Sequence, residues 1–223
     1  MLSDLFTAIA QLADPRFRGV LWRALAGAVV VFAGLLAGWW WLLERSTLFE
    51  SGWLEKMADV LGGLAALGLS LLLFPVVVTL VAGLLLDEIV QAVEDRHYPD
   101  LGPPPPTPWW QGLPTAARFV AITVVLNLLA LPLYLVPGAN LIVFYALNGY
   151  LLGREYFEMV ALRRLAPAQA RALRLANGVS VWLAGILIAV LSTVPVVNLM
   201  VPIIATAFAT HRFQALRKTG GAV

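Results

Sequence analysis

The chain contains no cysteine, so disulfide bonds, thiolate chemistry and cysteine-ligated metals are closed to it. Charge is scarce as well, 13% of residues against 61% hydrophobic. A water-soluble core cannot hide that much apolar side chain behind so little charge, and the composition points to a polytopic all-α membrane protein. The apolar runs are continuous where the strands of an outer-membrane barrel alternate, which excludes that architecture. There are two histidines, His97 and His211, far apart in sequence and without clustered carboxylates. A metal site is therefore not expected, and no cofactor is implied. No nucleophile and base are paired, no glycine-rich loop is built to cradle phosphate, and no basic stripe fits nucleic acid. An enzyme and a nucleic-acid binder both drop out.

What remains is a pattern of long charge-free stretches. Residues 1–23 read as an N-terminal interfacial segment, with Leu2, Leu5, Phe6, Ile9 and Leu12 on one helical stripe and a break or helix start at Asp14-Pro15. Residues 24–43 form the first expected transmembrane helix and end in Trp39-Trp40-Trp41, an interfacial belt with no small-residue cleavage site of a signal peptide. Arg16, Arg18 and Arg23 precede this span, and the positive-inside rule places the N-terminus in the cytoplasm. Gly34-x-x-x-Gly38 offers a small-residue face on which another helix packs. The second expected span is residues 60–86, 27 uncharged residues with Pro75 near the middle, long enough to need tilt or a kink. Residues 87–118 hold a short polar helix with Ile89, Val90 and Val93 on one side, then a stiff proline-rich linker and Trp109-Trp110 at the interface.

Two further charge-free runs, 119–153 and 175–210, carry the same tip 58 residues apart: Val136-Pro137-Gly138-Ala139-Asn140-Leu141 and Val194-Pro195-Val196-Val197-Asn198-Leu199. An internal repeat is more informative than either copy. Each proline divides its run into an outgoing and a return arm, and both hairpins, 119–157 and 175–216, have arginines at their feet, so both enter from the cytoplasmic side. The return arms, 141–153 and 199–210, hold only 13 and 12 uncharged residues, roughly 18–20 Å of helix against about 30 Å of hydrocarbon. The expectation is two transmembrane helices plus two re-entrant helical hairpins. Full traversal, with Arg154 and Arg212 snorkelling, is the alternative.

Pro137-Gly138 suits a type II turn with glycine at positive φ, and Pro195-Val196 a type I turn. Asn140 and Asn198 stand where a helix N-cap is wanted. Two helix N-termini aimed at the bilayer midplane would hold an anion without a buried charge, which makes Pro137, Gly138, Asn140, Pro195 and Asn198 candidate pathway residues. Simple capping in a packed bundle is the other reading. Arg16 and Arg18, close in sequence, together with Arg23 are candidate oxyanion ligands or plain lipid-headgroup anchors. Gly149-x-x-x-Gly153 and Ala205-x-x-x-Ala209 let helices approach closely, and Arg154-Glu155 is expected to form an interfacial ion pair.

Taken together, Pro15-Arg16-Phe17-Arg18 before the first span, Leu73-Phe74-Pro75 in the second, the two Val-Pro-x-x-Asn-Leu tips, Leu147-Asn148 with Leu152-Gly153-Arg154-Glu155-Tyr156, and Ala205-Thr206 with Ala209-Thr210 resemble the CysZ/etoposide-induced-protein family along nearly the whole chain. The resemblance implies a bacterial inner-membrane protein with two long helices and two hemi-penetrating hairpins, assembled as a homo-oligomer. It also implies sulfate uptake for cysteine biosynthesis, with the arginine-bearing segment Pro15-Arg16-Phe17-Arg18 engaging sulfate. Sulfate-handling members tend to show a Gly-Leu-Arg-type sequence after the proline, where this chain has Arg16-Phe17-Arg18-Gly19. The expected function is an inner-membrane anion permease for sulfate or a related oxyanion. A structural membrane protein that binds lipid or partner proteins through the same fold is the alternative.

Overall fold

A computed structural model describes residues 1–45, 52, 60–63, 68, 85–106, 113–136 and 138–219. Nothing in them is strand, and most of the described residues are helical, as so continuous an apolar pattern requires. The bulk of the expected second span with Pro75, the loop before it, Trp109-Trp110 and Pro137 lie outside the described residues.

The chain divides into two compact units, residues 18–86 and residues 1–17 with 87–223. In the first, the described structure is dominated by α2 (Pro15–Arg45), which begins in the other unit. Its stretch Pro15–Trp41 is long and apolar enough to cross a membrane, and takes in all but the last two residues of the expected span 24–43 together with the three arginines before it. Val30, Leu35, Trp40 and Trp41 are exposed on it, the surface lipid would cover.

The larger unit opens with α1 (Leu2–Ala10), whose Leu5 and Ala8 are buried while Leu2 and Phe6 stay exposed. α3 (Leu86–His97) crosses the division between the units and buries Ile89, Val90 and Val93, the three residues its sequence sets on one side. α4 (Leu113–Tyr134) and α5 (Ala139–Ala161) are the arms of the first hairpin. Between them Gly138 has φ +83°, and the Ala139 amide donates to the Val136 carbonyl at 3.2 Å. That is the positive-φ glycine expected of the turn, standing where a side chain would be strained.

Residues 117–134 of α4 form the second helix long and apolar enough to cross a membrane. α5 has 23 residues, ten beyond its charge-free arm at the two ends, because Arg154, Glu155 and Glu158 continue the helix past the lipid-compatible stretch.

The second hairpin departs from its expected boundaries. Leu175 and Ala176, placed in the outgoing arm, belong instead to α6 (Pro167–Ala176), and α7 (Gly178–Ser192) leaves it at 88°. Asn177 ends α6 with its backbone out of the helical region at φ −117°, ψ 30°, its side-chain amide donating to the Leu173 carbonyl at 3.0 Å, and Gly178 follows as the first residue of α7. α7, with 15 residues, is about 22 Å long. Val194 is extended, as a residue before proline must be, and Pro195 opens the one-turn helix α8 (Pro195–Asn198). The two tips thus differ, glycine-turned in one and helical in the other. α9 (Val201–Thr219) follows and is the most buried element, with Ile203, Phe208 and Phe213 at the centre of the unit.

Helix α5 packs most extensively on α7, and the reason is glycine. A Cβ at Gly149 would meet Ile186, one at Gly153 the Val181 carbonyl, and one at Gly185 the Gly149 carbonyl and Gly153 amide. The small-residue face read from Gly149-x-x-x-Gly153 is therefore a backbone-to-backbone contact. At Gly34 and Gly38 no such neighbour stands within 4 Å among the described residues.

Candidate functional site

The three N-terminal arginines start from the cap of α2. Asp14 Oδ1 accepts the Arg16 amide at 2.9 Å, while its other oxygen accepts Arg96 Nη1 at 2.6 Å, so the turn that presents Arg16 is pinned to α3. Arg16 Nη1 donates to Asp95 at 2.9 Å in an exposed pair of the kind worth about 0–1 kcal/mol, weak enough to yield to another anion. Arg16 and Arg18 do not converge as their closeness in sequence suggests. On a continuous helix they are separated by about 200° of rotation and leave on opposite sides. Arg18 and Arg23 are exposed, and Arg23 Nε donates to the Gly19 carbonyl at 3.2 Å.

Neither tip asparagine is an N-cap. Gly138 holds that position for α5, and Asn140, two residues further in, uses Oδ1 to accept the Leu141 amide at 2.8 Å. Asn198 is the last residue of α8, with its amide donating to the Val194 carbonyl at 2.8 Å. The left-handed glycine puts the cap of α5 two residues before Asn140, and the helical Pro195 turn is capped at Val194, four residues before Asn198. Apolar exposure marks the first tip, with Leu135 at 84% and Ile142 at 73%, more than the second, where Val194 is at 46%.

The strongest electrostatic feature lies at the feet of the hairpins, and the sequence reading assigned its pairing wrongly. Arg154, side chain 4% exposed, does not pair with Glu155, because successive helical residues point about 100° apart. It pairs one turn on with Glu158, Nε lying 3.2 and 3.3 Å from the two carboxylate oxygens. Glu158 also accepts Arg174 Nε of α6 at 2.8 Å. One carboxylate thus serves two buried guanidiniums, and Arg154 Nη1 is buried without a hydrogen-bond partner. The guanidinium carbon of Arg154 lies 5.5 Å from the Phe119 ring centroid, a further stabilising contact for a desolvated cation.

A cavity of about 360 Å³ opens beside this triad, lined by Arg118 of α4, Tyr150, Arg154 and Glu158 of α5, and Arg171 and Arg174 of α6. A second, of about 300 Å³, shares Tyr150, Arg154 and Arg174 and continues among Leu175, Val179, Val181 and Trp182. The i,i+4 spacing of Arg154 and Glu158 was the available signal for the pair. That Arg174 and Arg171 join it depends on the elbow at Asn177, which no periodicity announces.

The two histidines, read as isolated, are neighbours. Their rings meet edge-on with centroids 5.0 Å apart, Tyr98 Oη is 2.9 Å from His211 Nδ1, and Gln11 Oε1 is 3.4 Å from His211 Nε2. Burial pushes His211 down to about 4 and His97 below its ordinary value. His211 is buried and His97 is exposed, so the pair sits at the edge of the core where α3 meets α9. Among the described residues, no group of three or more potential metal ligands comes together.

A comparison with curated proteins returned no match. A comparison with family profiles matched residues 4–202 to the profile described as sulfate transporter CysZ/etoposide-induced protein 2.4. The match takes in the arginines ahead of the first span, both hairpin tips and the buried arginine triad. Reaching across all but the two ends of the sequence, it establishes that the chain belongs to the sulfate transporter CysZ/etoposide-induced protein 2.4 family.

Proposed function

We propose that the protein is a non-enzymatic anion permease of the bacterial inner membrane that takes up sulfate for cysteine biosynthesis. The observation that carries this reading is the family match over residues 4–202 of an apolar, all-helical chain. In this reading the N-terminus is cytoplasmic, and Arg16, Arg18 and Arg23 gather the anion at the membrane surface. Arg16 exchanges its exposed bond to Asp95 for a bond to the anion. The hairpins enter from the cytoplasmic side, and their tips, Pro137, Gly138, Asn140, Pro195 and Asn198, line the way through in a homo-oligomer. The brevity of α7, about 22 Å against a hydrocarbon core of about 30 Å, supports a tip that stops inside the bilayer.

Radiolabelled sulfate uptake into proteoliposomes tests the reading. The purified protein should accelerate uptake over empty liposomes, and the double variant Arg16→Ala, Arg18→Ala should lower the rate about tenfold, the effect of roughly one charge-assisted hydrogen bond. A purified, folded protein that moves no sulfate refutes the permease assignment and leaves the lipid-interacting alternative.

A further inference from the structure

The cavity at the feet of the hairpins is more cationic than its own residues can balance. Arg118, Arg154, Arg171 and Arg174 line it, and the one carboxylate among the lining residues is Glu158. Arg118 and Arg171 are exposed at the rim and have no acidic partner among the described residues. Arg154 and Arg174 are buried, and both draw on the same carboxylate. A buried guanidinium is stable only when its donors are met, because desolvating the charge costs several kcal/mol. Yet Arg154 leaves Nη1 without an acceptor. A buried donor in that condition calls for a missing partner.

We infer that this cavity is a binding site for a tetrahedral oxyanion, distinct from the N-terminal arginine segment. The chemistry follows from the donors. Planar guanidiniums present paired N–H groups that match the oxygens of sulfate or phosphate two at a time, and three of the four positive charges here lack a carboxylate of their own. Glu158 holds Arg154 and Arg174 in position while the cavity is empty and competes with the incoming anion. The volume, about 360 Å³, is within the usual range of about 300–1,000 Å³ for small-ligand sites. The same chemistry is met by two sources. One is free sulfate, for which the inference rests on the permease reading. The other is the phosphate of a membrane lipid, whose acyl chains would find Leu175, Val179 and Trp182 in the adjoining cavity.

The test uses the full-length protein in detergent. Equilibrium dialysis measures sulfate binding, and native mass spectrometry measures retained phosphatidylglycerol. Removing the rim charges with Arg118→Ala and Arg171→Ala should weaken one of these ligands at least about tenfold. A control that removes the same charge elsewhere, Arg217→Ala with Lys218→Ala, should not. Glu158→Gln, which removes the competing carboxylate, should tighten the same ligand, a gain that misfolding cannot imitate. If sulfate responds, the site serves the transported ion. If lipid responds and sulfate does not, the source is the headgroup, and the site stands even should sulfate transport fail. If neither ligand responds to the rim variants, or the control weakens binding equally, the inference is overturned.

Discussion

Substituting Gly185 by Ala tests the α5–α7 contact with a single methyl group. The added carbon would fall on the Gly149 carbonyl oxygen and the Gly153 amide nitrogen, both backbone atoms fixed within α5. No rotamer change relieves that overlap, so the helices must separate. Their separation also stretches the 3.0 Å bond from the Trp182 indole to the Ala146 carbonyl. Forcing atoms into a filled core costs about 1–3 kcal/mol. The intrinsic helix preference for Ala over Gly returns up to about 1 kcal/mol. The net expectation is a loss of about 1–2 kcal/mol, lowering the melting temperature of the detergent-solubilised protein by roughly 2–8 °C at this chain length. Gly34→Ala and Gly38→Ala add the same methyl group where nothing stands within 4 Å among the described residues, and should leave melting unchanged or raise it. Fluorescence-detected size-exclusion chromatography after graded heating measures all three. If Gly185→Ala melts with the wild type, the backbone contact is not what joins the hairpins.

Depth of the tips is open to labelling, since the chain has no native cysteine. Asn140→Cys and Asn198→Cys should resist a membrane-impermeant maleimide added from the periplasmic side. Labelling there at the rate of an exposed loop would show that the hairpins traverse the bilayer. Gly138→Cys is the wrong probe, because φ +83° strains any side chain. Stability should also fall with acidity. His211 is held down to about 4 in the folded protein by burial first and by His97 second, against about 6.5 unfolded, with the Asp4 carboxylate the one opposing influence. A depressed histidine contributes in full above the unfolded value and loses that contribution as pH drops from about 6.5 toward about 4, on the order of 3 kcal/mol at the limit. Melting at pH 7 and pH 5 should differ by less in His211→Gln than in the wild type, His97 keeping a smaller share of the acid sensitivity. An unchanged difference in that variant would assign the acid sensitivity elsewhere.

Apolar continuity and the placement of arginine were enough to read the membrane class, the first span, the polar helix at Leu86–His97 and the glycine turn at Gly138. Those features follow from local rules: hydropathy, helical period and the freedom of glycine at positive φ. The elbow at Asn177 had a local signal in Asn177-Gly178 after Arg174, but its 88° angle is set by tertiary packing and was not legible. The choice of Glu158 over Glu155 follows helical spacing and was available in the sequence. Its second partner, Arg174, sixteen residues on, was not. For the same reason the histidines looked solitary. His97 and His211 meet only because α3 and α9 are brought together by the fold. Gly34-x-x-x-Gly38 and Gly149-x-x-x-Gly153 are indistinguishable as text, and only packing separates the crowded pair from the uncrowded one.

The contact at Gly149, Gly153 and Gly185 has a consequence for whatever moves through the molecule. Two main chains that touch leave no gap for a water file, still less for a solvated ion, so the seam between α5 and α7 is sealed along that length. Under the permease proposal, an ion would have to pass beside this seam rather than through it.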